Sequence, residues 1–506
     1  MKKLLNQYMK EVSEPFNKEW ILSRNDDNIL QHVRDIFKSL EILPEIHIDP
    51  NDITLETDES TFGPIKQQGK YYKPVLASRL NKIHYKVTID GIEKPIEKDL
   101  YMNKMLDHCF YINEGIRYFL VWQIVDSSSY SFENGVAFKS LLMPIILISK
   151  NRFATESFKG RALSNLPIYE SSLFKKLVPP ILYILGKYAL ESLSKAGMTK
   201  IEDVDAFTSY NDTGIIQYLS DFFGFEIKFS DKLDELIEDG RDIFTIQNNK
   251  KVGCYFSIPE DKVDSKEGRA LIASLCYLKQ IDKKANVVFS YDNLINMWYW
   301  LNLIAGYYNK SNDIFKKYEK IKGVYISLKR LIDEPTRKIL RLDDEYKQDV
   351  YGIFKYSMMN FDYLSTTDGQ DLTNKRIRLY EYVLYPLRSY FGKKIYSILT
   401  DPTVSIQKIE KIFTSLSPMY LIKECITSEL LHYFNSTNEY NLYGALLRYT
   451  FGGPQGYTNS VSIAQRSLHP SYTGRLSLIA SNAGNPGISG TVVPFIKVYD
   501  GYFTKK

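Results

Sequence analysis

Three arginines near the end of the chain have the side chains best suited to bind an anion. Arg448, Arg466 and Arg475 are the only lysines or arginines between positions 448 and 475, whereas arginine makes up only 17 of the 65 basic residues overall. The planar guanidinium stays charged and can donate two parallel hydrogen bonds to a phosphate, which an ammonium cannot do. From position 448 to position 506 there are six basic residues and one acidic residue, Asp500. The pattern favours a phosphate-binding segment over the alternative, a set of ordinary surface arginines.

A His-Pro pair and a group of glycines lie in the same segment. His469-Pro470 stands between Arg466 and Arg475, and the sequence GNPGISG covers positions 484–490. Glycine lacks a Cβ, so its backbone can approach a ligand closely. A Walker or dinucleotide loop is excluded because no helix-opening Gly-Lys-Ser/Thr is present and the following TVVPF indicates a strand. No D-x-D carboxylate pattern lies near this segment, so a catalytic metal site is not expected in it.

The composition indicates a globular protein with more than one domain. The chain has 506 residues, which exceeds the usual size of a single core, with 44% hydrophobic and 25% charged residues. The net charge of +5 is too small to indicate a nucleic-acid-binding surface over the whole chain. The longest apolar run, Leu141 to Ser149, is about half a membrane span, so no membrane partner is expected. The four cysteines and six histidines show no zinc-ligand spacing.

Hydrophobic periodicity predicts a mixture of helices and strands, and therefore the α+β class. The first helix is predicted in NDDNILQHVRDIFKSL, with Ile29, Val33, Ile36 and Leu40 on one face. A second helix is predicted to end at Gly197, and a later one before Pro335. Further helices are predicted in EGRALIASLCYLKQI, in NLINMWYWLNLIAGYY and from Arg376 to YGALLRY; strands are predicted in HYKVTID and YFLVWQIV. The segment after Phe451 is expected to be rich in loops, with short strands.

The arginine segment resembles a known family. The sequence RSLHPSYTGR, 466–475, resembles R-D-V-H-P-T-H-Y-G-R of the β subunit of multisubunit DNA-dependent RNA polymerases, with Arg, His, Pro, Gly and Arg at the same spacing. Just upstream, RYTFGGPQG, 448–456, is similar to the fork stretch R-I-S-A-L-G-P-G-G of that subunit, with Arg448, Gly453 and Pro454 in register.

Two distant segments extend the resemblance in the same order along the chain. FYINEGIRYFLVWQ, 110–123, is similar to F-I-I-N-G-T-E-R-V-I-V-S-Q, with Asn113 and Arg117 in register. DLTNKRIR, 371–378, resembles D-H-L-G-N-R-R-V-R, with Asn374, Arg376 and Arg378 in register. The chain departs from the family at 481–486, where only Gly484 keeps its place in the family's T-P-E-G-P-N.

The resemblance implies roles for two sets of residues and assigns no catalytic residue or metal ligand to this chain. The residues expected to bind nucleic acid or NTP are Arg448, Gly453, Pro454, Arg466, His469, Arg475, Gly484 and Asn485. The residues expected to have structural roles are Asn113, Arg117, Asn374, Arg376 and Arg378.

The implied protein is the N-terminal half of a split β subunit, as in giant, nucleus-forming bacteriophages. It would form a protrusion from 1–125 and 371–437, an inserted lobe from 126–370, and a loop-rich fork segment at the active centre from 438–506. The implied partners are the C-terminal half of β, β′-like subunits that hold Mg²⁺, template DNA and nascent RNA, with a promoter-specificity subunit as a further candidate. The implied location is the cytoplasm of the infected bacterial host, with the virion as the alternative.

A different class of function is the alternative to this hypothesis. The same residues would suit a non-catalytic DNA-binding or structural phage protein that shares the fold. The two hypotheses differ in one simple observation, namely whether the same genome encodes a partner that begins where this chain ends. On either hypothesis the isolated chain is expected to have no polymerase activity.

Overall fold

The computed structural model describes most of the chain between residues 26 and 503. Gaps in the described part fall at 58–64, 68–69, 73–77, 107–109, 114, 127–128, 133–134, 140–143, 174–175, 249–250, 286–288, 310, 333–348, 379–382, 401–404, 429, 435–446, 453–466, 478–487, 494–497 and 500–501.

The chain divides into two compact units. Unit 1 comprises Met1–Tyr130, Leu141–Met143 and Thr367–Lys506, and unit 2 comprises Ser131–Ser140 and Pro144–Thr366. Both units contain helices and strands. The predicted α+β class and the prediction of more than one domain are therefore confirmed. The predicted boundaries near 125, 370 and 437 stay predictions.

The helices and strands of unit 1 come from both ends of the chain. Its helices are α1 (Asp26–Lys38), α11 (Tyr385–Thr400), α12 (Ile406–Thr414) and α13 (Tyr420–Ile426). Its strands are β1 (Ile46–His47), β2 (Thr54–Glu56), β3 (Ile65–Gln67), β4 (Lys70–Tyr72), β5 (Leu80–Ile89), β6 (Ile96–Asn103), β7 (Met105–Leu106), β8 (Phe110–Asn113), β9 (Ile116–Leu120), β10 (Trp122–Asp126), β19 (Lys375–Arg378), β20 (Leu431–Tyr433), β21 (Arg448–Thr450), β22 (Ser489–Thr491), β23 (Val498–Tyr499) and β24 (Tyr502–Phe503).

The core of unit 1 forms where helices cover the sheet built on β5. This strand pairs with β1, β2 and β6, and buried and partly exposed residues largely alternate along it, as the sequence HYKVTID predicts. The buried Phe37 ring of α1 packs on Tyr85 of β5 at 4.8 Å between centroids and on Phe391 of α11 at 5.2 Å. Ile29, Val33 and Ile36 of α1, and Leu40 of the 3-10 turn Ser39–Ile42 that follows it, are all buried. The first predicted helix is therefore confirmed.

Unit 2 contains the remaining helices and strands, apart from β11 (Ser129–Phe132), in which the boundary between the units falls. Its strands are β12 (Gly135–Lys139), β13 (Pro144–Glu156), β14 (Ala162–Leu173), β15 (Lys176–Val178), β16 (Lys228–Ser230), β17 (Arg241–Asn248) and β18 (Lys251–Pro259). Its helices are α2 (Pro180–Lys195), α3 (Val204–Thr208), α4 (Gly214–Phe223), α5 (Lys266–Ala285), α6 (Tyr291–Ile295), α7 (Met297–Tyr308), α8 (Ile314–Arg330), α9 (Val350–Met359) and α10 (Phe361–Ser365).

Two antiparallel arrangements organise the strands of unit 2. The order β11-β12-β13-β14-β15 gives one sheet, and the order β16-β18-β17 gives another. Helix α2 is buried over most of its length and ends at Lys195, followed by Gly197 at φ +79°, as predicted. The long hairpin of β13 and β14 was not predicted, because its burial on one face depends on helices far away in sequence.

Three predicted elements differ from the structure. The run YFLVWQIV is divided at Val121 into β9 and β10, which belong to different sheets. The run NLINMWYWLNLIAGYY is divided at Asn296, whose side chain accepts a hydrogen bond from Tyr299 N and caps α7. The last helix in the described ranges is α13, which ends at Ile426; residues 435–446, where the predicted helices were to end, lie outside the described residues, and Arg448 begins a strand.

Candidate nucleic-acid interface

One four-stranded sheet in unit 1 joins segments that are far apart in the sequence. Its order is β19-β10-β21-β22. Strand β10 runs antiparallel to β19, with Gln123 opposite Arg378, and parallel to β21, with Gln123 opposite Thr450. Strand β22, which follows the glycine-rich segment, pairs with β21. The sheet therefore places the segments that end at Gln123, begin at Asp371 and begin at Arg448 side by side.

Two buried polar side chains hold the strands of this sheet. The Nε2 group of Gln123 donates a 2.8 Å hydrogen bond to the carbonyl oxygen of Gly452, just after β21. The ammonium of Lys375 on β19 donates to the Asp126 carboxylate of β10 at 2.6 Å and lies 5.9 Å from the centre of the Phe451 ring. The Gln123 hydrogen bond and the Lys375–Phe451 contact join β10 and β19 to the residues that follow β21, and the Lys375–Asp126 hydrogen bond joins β19 to β10.

Close packing fixes the pairing of β21 with β22. A Cβ added to Gly490 would lie 2.7 Å from the hydroxyl oxygen of Tyr449, and two further ring atoms would lie within 2.9 Å. The Tyr449 ring is buried and contacts the Phe451 ring at 5.6 Å between centroids. Only glycine therefore fits at this position without displacement of a buried ring.

The His-Pro pair forms a structural turn against the Asp371 segment. His469 caps a single 3-10 turn, Pro470–Tyr472, and its Nδ1 atom accepts a 3.2 Å hydrogen bond from Ser471 N. Its Nε2 atom lies 3.2 Å from the Asp368 carboxylate, so the neutral ring carries its proton on Nε2. The hydroxyl of Ser471 accepts a hydrogen bond from Leu372 N at 3.0 Å. Both ring nitrogens of His469 thus have contacts within the protein.

Arg475 braces the same turn. Its Nη1 group donates a 2.8 Å hydrogen bond to the carbonyl oxygen of Ser471, and its side chain is half-buried. Gly474, with φ +73°, precedes it and directs the backbone N–H of Arg475 to the carbonyl oxygen of Tyr472. One guanidinium nitrogen is therefore committed to the fold.

Arg448 has a different environment, because its side chain is exposed and has no hydrogen-bond or ion-pair partner among the described residues. It lies near His432 of β20. Partial desolvation first, and then the positive charge of Arg448, hold the pKa of His432 below its usual value. Arg448 therefore presents a positive charge to solvent at the start of β21.

The sequence as a whole matches one family. Residues 1–503 match the family model described as "Non-virion RNA polymerase subunit". The chain belongs to the non-virion RNA polymerase subunit family. No curated protein matches this RNA polymerase subunit.

The residues of this polymerase subunit with expected structural roles lie in several local settings. Asn113 is buried at the end of β8 and accepts a 3.1 Å hydrogen bond from the hydroxyl of Ser78. Asn374 donates from Nδ2 to the carbonyl oxygen of Asp368 at 2.9 Å. Arg376 and Arg378 lie on β19, and the Arg117 side chain on β9 is exposed. The Asn113 contact joins the end of β8 to the segment before β5, and the Asn374 contact holds a turn, so both contacts are within the protein.

Five of the predicted binding residues, Gly453, Pro454, Arg466, Gly484 and Asn485, lie outside the described residues. Within the described ranges, no three His, Cys, Asp or Glu side chains lie close enough together to hold a metal ion. Among the helices in those ranges, none is both long enough and apolar enough to cross a membrane.

Sequence reasoning missed three features of this site. The pairing of Lys375 with Asp126, the packing of Gly490 on Tyr449 and the position of His432 beside Arg448 each depend on strand pairing across long sequence separations. Nothing in the sequence DLTNKRIR indicates that Lys375, rather than one of the two arginines after it, is the buried basic residue that pairs with Asp126. Only the order of the strands identifies it.

Proposed function

We propose that this subunit is the N-terminal part of a split β-like subunit of a phage multisubunit DNA-dependent RNA polymerase. In this role it forms one wall of the DNA cleft and positions nucleic acid and NTP for transcription. The observation that carries the proposal is the sheet β19-β10-β21-β22. Segments that resemble three separate β-subunit motifs are neighbours in that sheet, although hundreds of residues separate them in the sequence.

The His-Pro turn adds a fourth segment to the same place. The Ser471 hydroxyl contacts Leu372 N, and Leu476 forms a β-bridge with Val492, next to β22. Chance matches to four short motifs would have no reason to converge in space. Their convergence is the arrangement expected if the motifs build one functional surface.

The chain's contribution to catalysis in this proposal is position and charge. Arg448 is exposed and can bind a phosphate. Arg475 holds the His-Pro turn through Nη1, and its other guanidinium N–H groups can donate hydrogen bonds to a ligand. Catalytic Mg²⁺, which supplies charge stabilisation in two-metal nucleotidyl transfer, is assigned to a β′-like partner. His469 acts as a positioning residue, because both of its ring nitrogens contact the protein.

The proposed partners follow from this role. They are the C-terminal half of the β-like subunit, β′-like subunits, template DNA and nascent RNA, with a promoter-specificity subunit as a further candidate. The family description names a non-virion enzyme, which favours the cytoplasm of the infected host over the virion.

The test is reconstitution with candidate partner subunits from the same genome. The assembled complex should make template-directed RNA with Mg²⁺, and the isolated chain should make none. In the complex, Arg448→Ala should lower activity or affinity about tenfold to a hundredfold, equivalent to about 1–3 kcal/mol for one charge-assisted contact. Lys411→Ala is the matched control, since Lys411 is exposed on α12, outside the sheet.

Two results would contradict the proposal. One is template-dependent RNA made by the isolated chain. The other is a chain that binds DNA but joins no RNA-synthesising complex, which would support the non-catalytic DNA-binding alternative instead.

A further inference from the structure

Strands β9 and β20 place a cation and an imidazole on one face of their sheet. The two strands are antiparallel, with His432 opposite Phe119 and Tyr433 opposite Tyr118. Side chains alternate along a strand, so Arg117 projects on the same side as Phe119. The Phe119 and His432 rings stack at 5.8 Å between centroids, which confirms the face that His432 occupies. Arg117 and His432 therefore share one surface.

Arg448 extends this surface at its other end. Tyr449 lies opposite Trp122 in the parallel pair of β21 with β10, which places Arg448 beside Val121. Val121 packs with Phe119 and Phe434, so it belongs to the same face. The effect of the Arg448 charge, which together with desolvation holds the pKa of His432 below its usual value, agrees with this placement. We call Arg117, His432 and Arg448 the basic row.

The length of the basic row suits a polymeric anion. Four residues separate Arg117 from Val121, which corresponds to about 13 Å along a strand at roughly 3.3 Å per residue. A nucleic-acid strand presents a phosphate at every nucleotide, so a span of this size meets more than one phosphate. A single small anion could contact only one end of the row.

The charge of the row also lacks compensation within the described part of the chain. Neither the Arg117 side chain nor the Arg448 side chain has a hydrogen-bond or ion-pair partner among the described residues. Other arginines in the chain are paired, for example Arg152 with Asp362 at 3.0 Å and Arg241 with Glu226 at 2.9 Å. Two exposed guanidinium groups that flank an imidazole on an aromatic base form a surface that favours an anion.

We propose that Arg117, His432 and Arg448 bind the sugar-phosphate backbone of a nucleic-acid strand. The proposal rests on the proposed function for Arg448 and extends it, since it gives Arg117 a binding role in place of the structural one and adds His432. The arginines bind phosphates, and His432 keeps its ring stacked on Phe119 between them. The row would guide a strand past the sheet that carries the polymerase motifs.

The test measures binding of a fluorescein-labelled thymidine oligonucleotide of twelve residues to the full chain by anisotropy at several salt concentrations. Arg117→Gln and Arg448→Gln should each weaken binding about fivefold and lower the salt slope by about 0.7, the value for one phosphate contact on a single strand. The double variant should lose about twice that slope. Lys411→Gln removes the same charge outside the row and should have much less effect.

The imidazole gives a second measurement that general weakening of binding would not change. The Hε1 resonance of His432, assigned with His432→Gln, reports the pKa of the ring. Arg448→Gln should raise the pKa of His432 without ligand, because it removes a neighbouring positive charge. In the parent chain, oligonucleotide binding should also raise this pKa, because bound phosphates favour the protonated ring.

The outcomes separate this proposal from the proposed function. An unchanged salt slope in Arg117→Gln, together with an unchanged His432 pKa on binding, would overturn the basic row even if the reconstituted enzyme transcribes. If the salt slope falls as described in Arg117→Gln and Arg448→Gln, but no reconstituted complex transcribes, the basic row is supported and the proposed function is contradicted. Tighter binding of polyglutamate than of the oligonucleotide would overturn the row in favour of an acidic protein partner.

Discussion

The ion pair between Lys375 and Asp126 gives the most specific stability prediction for the sheet β19-β10-β21-β22. The Lys375 side chain is 4% exposed and its ammonium lies 2.6 Å from the Asp126 carboxylate, whose side chain is 33% exposed. Asp126→Asn removes the negative charge and leaves a buried ammonium without its carboxylate. Loss of one partner of a buried pair costs about 3–5 kcal/mol, and the half-open position of Asp126 and the Phe451 ring reduce this to about 2–3 kcal/mol.

The opposite change should be milder. Lys375→Met fills the buried position with an apolar side chain of similar length and leaves Asp126 able to take up water. We expect a loss of about 1 kcal/mol in the free energy of unfolding. The double variant, Lys375→Met with Asp126→Asn, should match Lys375→Met closely, because the buried charge is absent from both.

Hydrogen exchange is the suitable assay because the chain has two units and a single unfolding transition is not expected. Exchange of the β10 and β19 amides should accelerate roughly 30- to 150-fold in Asp126→Asn and about fivefold in Lys375→Met, by the equivalence of 1.4 kcal/mol to a factor of ten. Amides of β17 and β18 in unit 2 serve as the internal control. Equal acceleration in the two single variants would refute the reasoning from a buried ammonium that has lost its carboxylate.

Three further predictions concern stability. Gly490→Ala should lower the melting temperature of the unit 1 transition by a few degrees, equivalent to about 1–3 kcal/mol, because the new Cβ meets the Tyr449 ring; adding Tyr449→Leu should restore part of the loss. Gly474→Ala should cost about 1 kcal/mol of stability, because φ is +73° and a residue with a Cβ rarely adopts this conformation, although no atom lies within 4 Å of the added Cβ. Gly474→Asn should cost less, because asparagine adopts positive φ more readily than alanine. Equal melting temperatures for the two variants would contradict this. Burial opposes ionisation of Asp371, but hydrogen bonds from Thr373 and Ser471 and the charge of His469 together outweigh it and hold the pKa of Asp371 below its usual value. The ionised Asp371 carboxylate therefore stabilises the fold above its unfolded pKa of about 3.9, and this stabilisation is lost as pH falls through the folded pKa. In Asp371→Asn, the free energy of unfolding measured by urea titration should therefore fall less steeply between about pH 5 and pH 2.

Local patterns predicted the elements whose burial depends on their own residues. The spacing of Ile29, Val33 and Ile36 predicted α1, and Gly197 marked the end of α2, because these signals act over a few residues. The division of a β-rich run at Val121 could not be predicted, since both halves favour strands equally. It depends on the segment just before β20, where the Leu430 carbonyl oxygen accepts a hydrogen bond from Val121 N.

The candidate site was predictable in residue type but not in arrangement. Arginine chemistry predicted that both Arg448 and Arg475 bind an anion, yet one side chain faces solvent and the other braces a turn. Nothing in the local sequence separates these cases. The contact of Gln123 with Gly452 likewise requires the pairing of β10 with β21, which no local pattern encodes.

The position of β10 in the chain also determines when its sheet can form during synthesis. Its neighbours β19 and β21 lie at 375–378 and 448–450, beyond the whole of unit 2. At roughly 5–20 residues per second, β10 waits about 15–65 s for both neighbours, while the inserted unit has time to fold. Trp122 and Ile124, both buried in the finished protein, are exposed in that interval on a strand with two open edges. The sheet β19-β10-β21-β22 therefore becomes ordered only after unit 2 has been synthesised, and slow translation would lengthen the period in which β10 can pair with the wrong strand.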